Sequence, residues 1–454
     1  MKVIIIGAGE VGFHIAKHLA TENKDVVVID TNPEAIRRIS DNIDVQTITG
    51  SGSSPVILNE AGIKEAEILL AVTNSDETNL VACLVANAIS HGTKKLVRLR
   101  NADFDNFHDT FRKAAPYIDT SINPEIEVVK TIERLMWVPG AVDVAEFAGG
   151  LAKLIGIRIN RESDLVGKRL LDFPIAASGK AFIIASIVRN EKIIIPRGTD
   201  RLHHDDLVYF ISEENKVLET LAFFGKYAEP VTRAMIIGGG AIGFRLASLL
   251  EEKDVNVKLI EKDKTRCMEL AAKLNKTLVL HGDGSNKELL MEENIKDMDI
   301  AVTLTDDEQT NILTSLLVKQ MGARKTITKV DRFSYFPLMS TIGIEQVVSP
   351  RLSAVNTILQ HVRKGKVLSS ISIKGEEAEV MEAMAMETSS IVGPPLKNIS
   401  FPKGALVISI IRNNTVIIPS GESIIAPGDK IIIFTRRKSI PSIEKILAVK
   451  LEFF

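Results

Sequence analysis

At 454 residues the chain is too long for one hydrophobic core, so several domains are expected. A net charge of −2 gives no support for non-specific nucleic-acid binding, which needs a basic surface to displace counterions. Cys83 and Cys267 are the only cysteines, which argues against a disulfide framework or a cysteine zinc site.

The chain starts directly on an apolar strand, Lys2–Ile6, which leaves no room for a signal peptide. No apolar run approaches the ~18–20 residues that span a bilayer. The first strand leads into Gly7-Ala8-Gly9-Glu10-Val11-Gly12 and a helix, and the next strand, Val26–Ile29, ends on Asp30. Gln46–Ile48, Ile68–Val72 and Leu96–Leu99 read as further buried parallel strands. Glu34–Ile39, Pro55–Ala61 and Asn79–Ile89 have helical spacing between them. A longer helix, Glu125–Trp137, then leaves the sheet. From about residue 145 the texture becomes β-rich, with strands at Ile155–Ile159, Ala181–Val188, Lys192–Ile195 and Leu207–Ile211. A helix near Val217–Phe223 closes the unit.

The second half repeats the first. Met235-Ile236-Ile237 leads into Gly238-Gly239-Gly240-Ala241-Ile242-Gly243 and on to Glu261, and the acid stands eighteen positions after the third glycine in both copies. A shift of 232 superposes Ile63–Ile68 on Ile295–Ile300, Thr73–Asn79 on Thr305–Asn311, and Gly50-Ser51-Gly52 on Gly282-Asp283-Gly284. A further helix starts near Arg351. The strands Leu406–Arg412, Val416–Pro419 and Asp429–Phe434 and a helix near Ile443–Ala448 follow. The fold class is therefore α/β, with two tandem units. Each is a doubly wound, Rossmann-like parallel sheet, a crossover helix and a small α+β domain. The expected boundaries are 1–122, 123–140 and 141–228 for the first unit, and 229–349, 350–366 and 367–454 for the second.

A single GxGxxG arises easily by chance, whereas two on strand–turn–helix units, each with its acid, mark dinucleotide sites. Gly7 and Gly238 permit the tight turn, Gly9 and Gly240 admit pyrophosphate, and Gly12 and Gly243 allow helix–strand contact. The helix-start amides of Glu10 and Val11, and of Ala241 and Ile242, would face the phosphates. Asp30 and Glu261 would accept the ribose hydroxyls and repel a 2′-phosphate, which favours NAD(H) or an adenosine nucleotide over NADP(H). A glycine turn that keeps its shape without a ligand is the other reading. Lys262 and Lys264 beside Glu261 either relax that selectivity or are ordinary solvated helix-start residues.

Asp283 is placed to accept from an adenine amino group, with Ser51 a poorer equivalent. Thr73 and Thr305 serve ribose, nicotinamide-side contacts or a helix cap. Arg98 and Arg100, with Lys329 and Arg332 in the second half, either reach phosphate across the crevice or form surface salt bridges. His203-His204-Asp205-Asp206 stands opposite Ala426-Pro427-Gly428-Asp429 and reads as a turn. No acid/base pair, metal-ligand spacing, nucleophile elbow or Walker lysine accompanies the two sites. Duplicated binding without catalytic equipment points to a sensor rather than an NAD-dependent oxidoreductase, the competing function.

Over its whole length the chain resembles the TrkA family, which carries tandem RCK (KTN) regulatory units. Gly7–Gly12, the run Ala71–Asn79, Asn59–Gly62 before Ile63, and Val97-Arg98-Leu99-Arg100 carry the resemblance. It implies a non-catalytic subunit that binds NAD(H), and in several members ATP or ADP. The subunit assembles as a homo-oligomeric ring beneath a Trk-type membrane potassium channel subunit, so it would be cytoplasmic and peripheral to the membrane. The ligand residues implied are Gly7, Gly9, Gly12, Asp30, Thr73 and Arg100, then Gly238, Gly240, Gly243, Glu261 and Thr305. Ser51, Gly52 and Asp331, the last near the position of Arg100, depart from that pattern and suggest two sites of different preference.

Overall fold

The computed structural model describes residues 1–105, 107–173, 182–190, 192–227, 230–362, 367–373 and 377–447. The chain opens with β1 (Lys2–Ile6), α1 (Glu10–Thr21), β2 (Asp25–Asp30), α2 (Pro33–Asn42), β3 (Gln46–Thr49) and α3 (Pro55–Glu60). It continues through β4 (Ile68–Ala71), α4 (Asp76–Ile89), β5 (Lys94–Arg98), α5 (His108–Lys113), β6 (Thr120–Ile122) and α6 (Pro124–Trp137). The strands form one parallel sheet in the order β3-β2-β1-β4-β5-β6, the doubly wound arrangement.

Alternation along each strand explains its two-sided burial. Val3, Ile5, Val26, Val28 and Leu70 pack on one face, and Ile4, Ile6, Val27, Ile29 and Leu69 on the other. Helices cover both faces, so both sets are apolar and the strands read as continuous hydrophobic runs. The sequence reading expected five strands here. The sixth, β6, has three residues, too few to show a period.

The antiparallel region holds β7 (Ala141–Phe147), β8 (Ala152–Arg158), β9 (Phe182–Arg189), β10 (Lys192–Ile194) and β11 (Leu207–Glu213), then α7 (Val217–Phe223). Its strand order is β10-β9-β11-β8-β7. Sequence reading missed β7, because Asp143 and Glu146 break its apolar pattern. Ala181, expected to begin β9, lies outside the described residues.

The second parallel sheet and its helices are β12 (Arg233–Ile237), α8 (Ala241–Glu252), β13 (Asn256–Glu261), α9 (Lys264–Lys273), β14 (Leu278–His281) and α10 (Lys287–Glu292). These are followed by β15 (Ile300–Thr303), α11 (Glu308–Gln320), β16 (Lys325–Lys329), α12 (Phe336–Thr341), β17 (Gln346–Val348) and α13 (Pro350–Val362). The order β14-β13-β12-β15-β16-β17 repeats that of the first sheet. The last region holds β18 (Val367–Ile373), β19 (Ala378–Met384), β20 (Ala405–Arg412), β21 (Thr415–Ile417), β22 (Lys430–Arg436) and α14 (Ile440–Leu447). Neither β18 nor β19 was expected. Ala448 and the tail of the expected 350–366 helix lie outside the described residues.

Two compact units emerge, and they do not follow chain order. One holds Met1–Val128 together with α13. Ala354, Val355, Ile358, Leu359 and Val362 form a stripe at helical spacing on α13, and they pack with Val11, Ile15, Leu96 and Ile122. The Lys94 ammonium donates to the His361 carbonyl at 3.2 Å and so satisfies the carboxyl end of α13. The crossover helix that follows the second sheet in the chain therefore packs on the first.

The other unit holds the chain from Val129 to Val348 and from beyond α13 to the end. In it Lys253, just past α8, pairs with Glu133 of α6 at 2.8 Å and lies 5.7 Å from the Trp137 ring centroid. The two small sheets of this unit share one core, in which Phe147, Leu154 and Ile211 meet Val380, Ile432 and Phe434. The Ala148 amide donates to the Glu382 carboxylate at 2.8 Å across that core.

Candidate functional site

Both glycine turns sit at the carboxyl ends of central strands, where a doubly wound sheet leaves a crevice. Gly7 adopts φ +109°, a region open to glycine, and its amide donates to the Ile29 carbonyl at 2.8 Å. A Cβ on Gly12 would collide with the Gly7 carbonyl oxygen, and one on Gly243 with that of Gly238. Gly9 differs: its backbone is extended (φ −67°, ψ −172°), and a Cβ there would meet nothing within 4 Å. Gly240 is the same in the second half. The second glycine of each turn thus borders open space.

Helices α2, α4, α9, α10 and α11 begin on Asn32, Ser75, Asp263, Asn286 and Asp307, whose side chains accept first-turn amides. Helices α1 and α8 begin on Gly9 and Gly240 with no side-chain cap, as do the shorter α3, α5, α7 and α12 on other residues. The amides at Glu10, Val11 and Gly12, and at Ala241, Ile242 and Gly243, therefore keep their donor capacity at the positive end of the helix dipole.

The acids are partly committed to the turns. Asp30 accepts from the Ala8 amide at 2.6 Å and the Asn32 amide at 2.8 Å. Glu261 accepts from Gly239 at 2.7 Å and Asp263 at 2.8 Å. Each oxygen keeps a lone pair, so a ribose hydroxyl would add to these bonds rather than replace them. Glu10 offers its amide, while its carboxylate turns to Arg38 at 2.6 Å. Burial raises the Glu10 pKa, but Arg38, His14 and Arg351 outweigh burial and hold it below the usual carboxylate range.

Thr73 and Thr305 are each held by an asparagine of the following helix. Fully buried Asn79 accepts from the Thr73 hydroxyl at 2.7 Å and the Thr73 amide at 3.0 Å, and donates to the Thr73 and Arg98 carbonyls. Asn311 does the same for Thr305 and Lys329. Each asparagine pins two strand ends to the next helix. The repeat of both asparagines was legible, but their clamp role was not.

Asp283, expected to meet an adenine amino group, is a turn-former. It accepts from the Ser285 hydroxyl at 2.6 Å, the Ser285 amide at 2.9 Å and the Lys262 ammonium at 2.9 Å. Ser285 first, then Lys262, hold its pKa far below the usual range. Lys262 is thereby paired at the surface with Asp283. In the first half Ser51 lies 2.8 Å from the Ser53 hydroxyl instead.

The cations separate the two sites. Arg98 is not a surface salt bridge: it is 7% exposed and donates to the Thr73 carbonyl at 2.9 Å and the Asn74 side chain at 2.8 Å. Its Nε is buried without a hydrogen-bond partner. Burial, then the neighbouring Arg100, lowers its pKa to about 10. Arg100 is exposed and donates to the Asn74 carbonyl at 2.7 Å. In the second half Lys329 stands in place of Arg98, 3.7 Å from Asp306 and 3.9 Å from Asp331. Arg332 forms the salt bridge, to Glu308 at 2.7 Å. Among the described residues Arg98 and Arg100 form no ion pair, whereas Lys329 and Arg332 are paired with carboxylates.

The His203-His204 segment is a turn: buried Asp206 accepts from the His203 amide and pairs with Arg189 at 2.7 Å. Asp429 repeats this with Ala426 and Arg412.

With the geometry in place, comparison with known proteins gives a consistent answer. The family model described as the TrkA-N domain matches residues 3–124 and 234–350, and the TrkA-C domain matches 154–225 and 380–448. The Trk system potassium uptake protein TrkA homolog 1 of Methanosarcina mazei is 39% identical over 452 residues, spanning 98% of this chain and 99% of that one. TrkA of Halomonas elongata is 36% identical over 458 residues, the whole of both chains. Among solved structures, the GsuK channel matches with TM-score 0.62 at 16% identity, covering 98% of this chain and 78% of that one. The GsuK RCK domain matches with TM-score 0.60 at 17% identity, covering 98% and 94%. This chain belongs to the TrkA family.

Proposed function

We propose that this chain is a non-catalytic, nucleotide-sensing regulatory subunit of a Trk-type potassium uptake system. The observation that carries the reading is the pair of uncapped helix starts, each over an open glycine position and beside an acid at the next strand end. Such a site takes the pyrophosphate and ribose of NAD(H), ATP or ADP. Its residues are Gly7, Gly9, Glu10, Val11, Gly12, Asp30, Arg98 and Arg100 in the first half. In the second half they are Gly238, Gly240, Ala241, Ile242, Gly243 and Glu261. Thr73, Thr305 and Asp283 complete the set, each also bonded to its own crevice wall. The relatives named as Trk potassium uptake proteins, and the GsuK channel, which has been solved with NAD bound, support the assignment.

The working assembly is a homo-oligomeric ring held at the cytoplasmic face of the membrane by a potassium channel subunit. No helix among the described residues is long and apolar enough to cross a membrane. The functional modules follow the expected divisions, 1–122 and 229–349 for nucleotide and the smaller regions for assembly. Nucleotide gates the channel by binding one ring shape more tightly than another, since equal affinity for both shifts nothing. Potassium flux through a reconstituted Trk channel partner tests this. Flux should change when this chain is added, and change again with NADH, NAD, ATP or ADP. Flux indifferent to both additions would refute the proposal.

A further inference from the structure

We infer that Arg351, carried by α13, is a phosphate-binding residue of the first nucleotide site, which is therefore completed by a helix from beyond the second sheet. The inference deepens the nucleotide-sensing reading and rests on it.

The placement follows from the packing of α13. Its carboxyl end is fixed at the start of β5, where Lys94 donates to the His361 carbonyl. Its apolar stripe lies against α1 and the sheet, beside Leu96 of β5 and Ile122 of β6. Ten residues back from His361 span ~15 Å of helix at ~1.5 Å each. The four steps of β5 from Lys94 to Arg98 span ~13 Å. The amino end of α13 therefore lies at the carboxyl end of β5, which is the end that bears Arg98 and faces the crevice. Consistent with this, the Arg351 charge acts both on Glu10, the first residue of α1, and on Arg98.

Three guanidinium groups then gather around the uncapped start of α1. Arg98 is more than nine-tenths buried with an unsatisfied Nε, and neither Arg98 nor Arg100 forms an ion pair among the described residues. Arg351 is half-buried and makes no hydrogen bond or ion pair among the described residues. The carboxylates facing the group are Glu10, held by Arg38, and Asp76, which accepts from the Arg100 and Asn101 amides. Three like charges held near acids that are already engaged by other donors are an arrangement that an oligophosphate chain neutralises. The ligand class is an adenine nucleotide with two or more phosphates. The second half does not repeat the set. Glu125 follows Pro124 where Arg351 follows Pro350, and Asp331 stands for Arg100. A ligand that holds Arg351 also holds α13, which leads along the chain towards β18.

The test uses the full chain with Gly240→Ala, so that titration calorimetry reads the first site. ATP, ADP, AMP and adenosine are titrated into this protein and into versions that also carry Arg351→Gln or Arg351→Lys. Arg351→Gln should weaken ATP and ADP about tenfold or more, as expected for one charge-assisted hydrogen bond, AMP less and adenosine not at all. Arg351→Lys should recover part of the loss. Unchanged ATP and ADP affinity overturns the inference, and so does an equal loss for all four ligands, which marks a structural role. If the parent protein binds none of the four, the nucleotide reading of the first site itself fails, and the inference falls with it.

Discussion

Replacing Gly9 by alanine separates folding from ligand binding at the first glycine turn. Its backbone is one that alanine adopts, and the new Cβ meets no atom within 4 Å. Two small effects oppose each other. Alanine restricts the unfolded chain, worth about 0.4–1 kcal/mol of stability. As a helix-cap residue it is poorer than glycine by about 0.5–1 kcal/mol. The net change in the free protein should fall within about 1 kcal/mol of zero. The methyl group nevertheless fills the space through which a pyrophosphate approaches the helix start. A nucleotide at 100 times its Kd stabilises the site by about 2.7 kcal/mol, and Gly9→Ala should abolish that gain. Gly12→Ala is the contrast. Its Cβ runs into the Gly7 carbonyl, so the free protein itself should lose about 1–3 kcal/mol or more. Urea unfolding of each variant with and without nucleotide, in a Gly240→Ala background, reads both quantities. If Gly9→Ala keeps the ligand-induced gain, nucleotide does not lie over this turn. If it destabilises the free protein as much as Gly12→Ala does, the local geometry is wrong.

Three further outcomes follow from the packing. Ile358→Ala, which empties a fully buried site on α13, should cost about 2–5 kcal/mol. Hydrogen exchange should show that loss in β1, α1 and β5, not in the second sheet beside it in the chain. Asp299 accepts from the Thr232 amide and hydroxyl and the Arg233 amide, and lies 3.3 Å from Arg324. Burial alone would raise its pKa, but these donors lower it overall. A lowered folded pKa gives stability that is complete above the unfolded value of about 3.9 and is lost as pH falls through the folded value. Asp299→Ala should cost about 1–3 kcal/mol at neutral pH and flatten that part of the acid profile in urea titrations from pH 7 to 2. Cys83 is buried and its thiol is pushed up to about 12, chiefly by burial. Iodoacetamide at pH 8 should therefore label it at the rate of unfolding, and rapid labelling of the native protein would contradict the burial.

The glycine turns, their acids and the alternation of strands and helices were fully legible, because they are local. Three glycines and a carboxylate at fixed spacing mark a turn within a short stretch of chain, and a doubly covered sheet makes each strand a continuous apolar run. Among the strands that escaped were β6, too short for a period, β7, whose Asp143 and Glu146 interrupt the pattern, and β18 and β19 of the last region. The roles of polar residues were decided elsewhere. Thr73 and Arg332 read as open choices between ligand and structure and Asp283 as an adenine contact, and their intramolecular partners Asn79, Glu308 and Lys262 are brought beside them only by the fold. The sequence by itself determined two tandem Rossmann-like modules and where their glycines stand. Only the tertiary structure decided that α13 returns to the first sheet. An amphipathic helix records in its sequence that one face must be buried, but not against which partner, and that choice is made by the surfaces it meets.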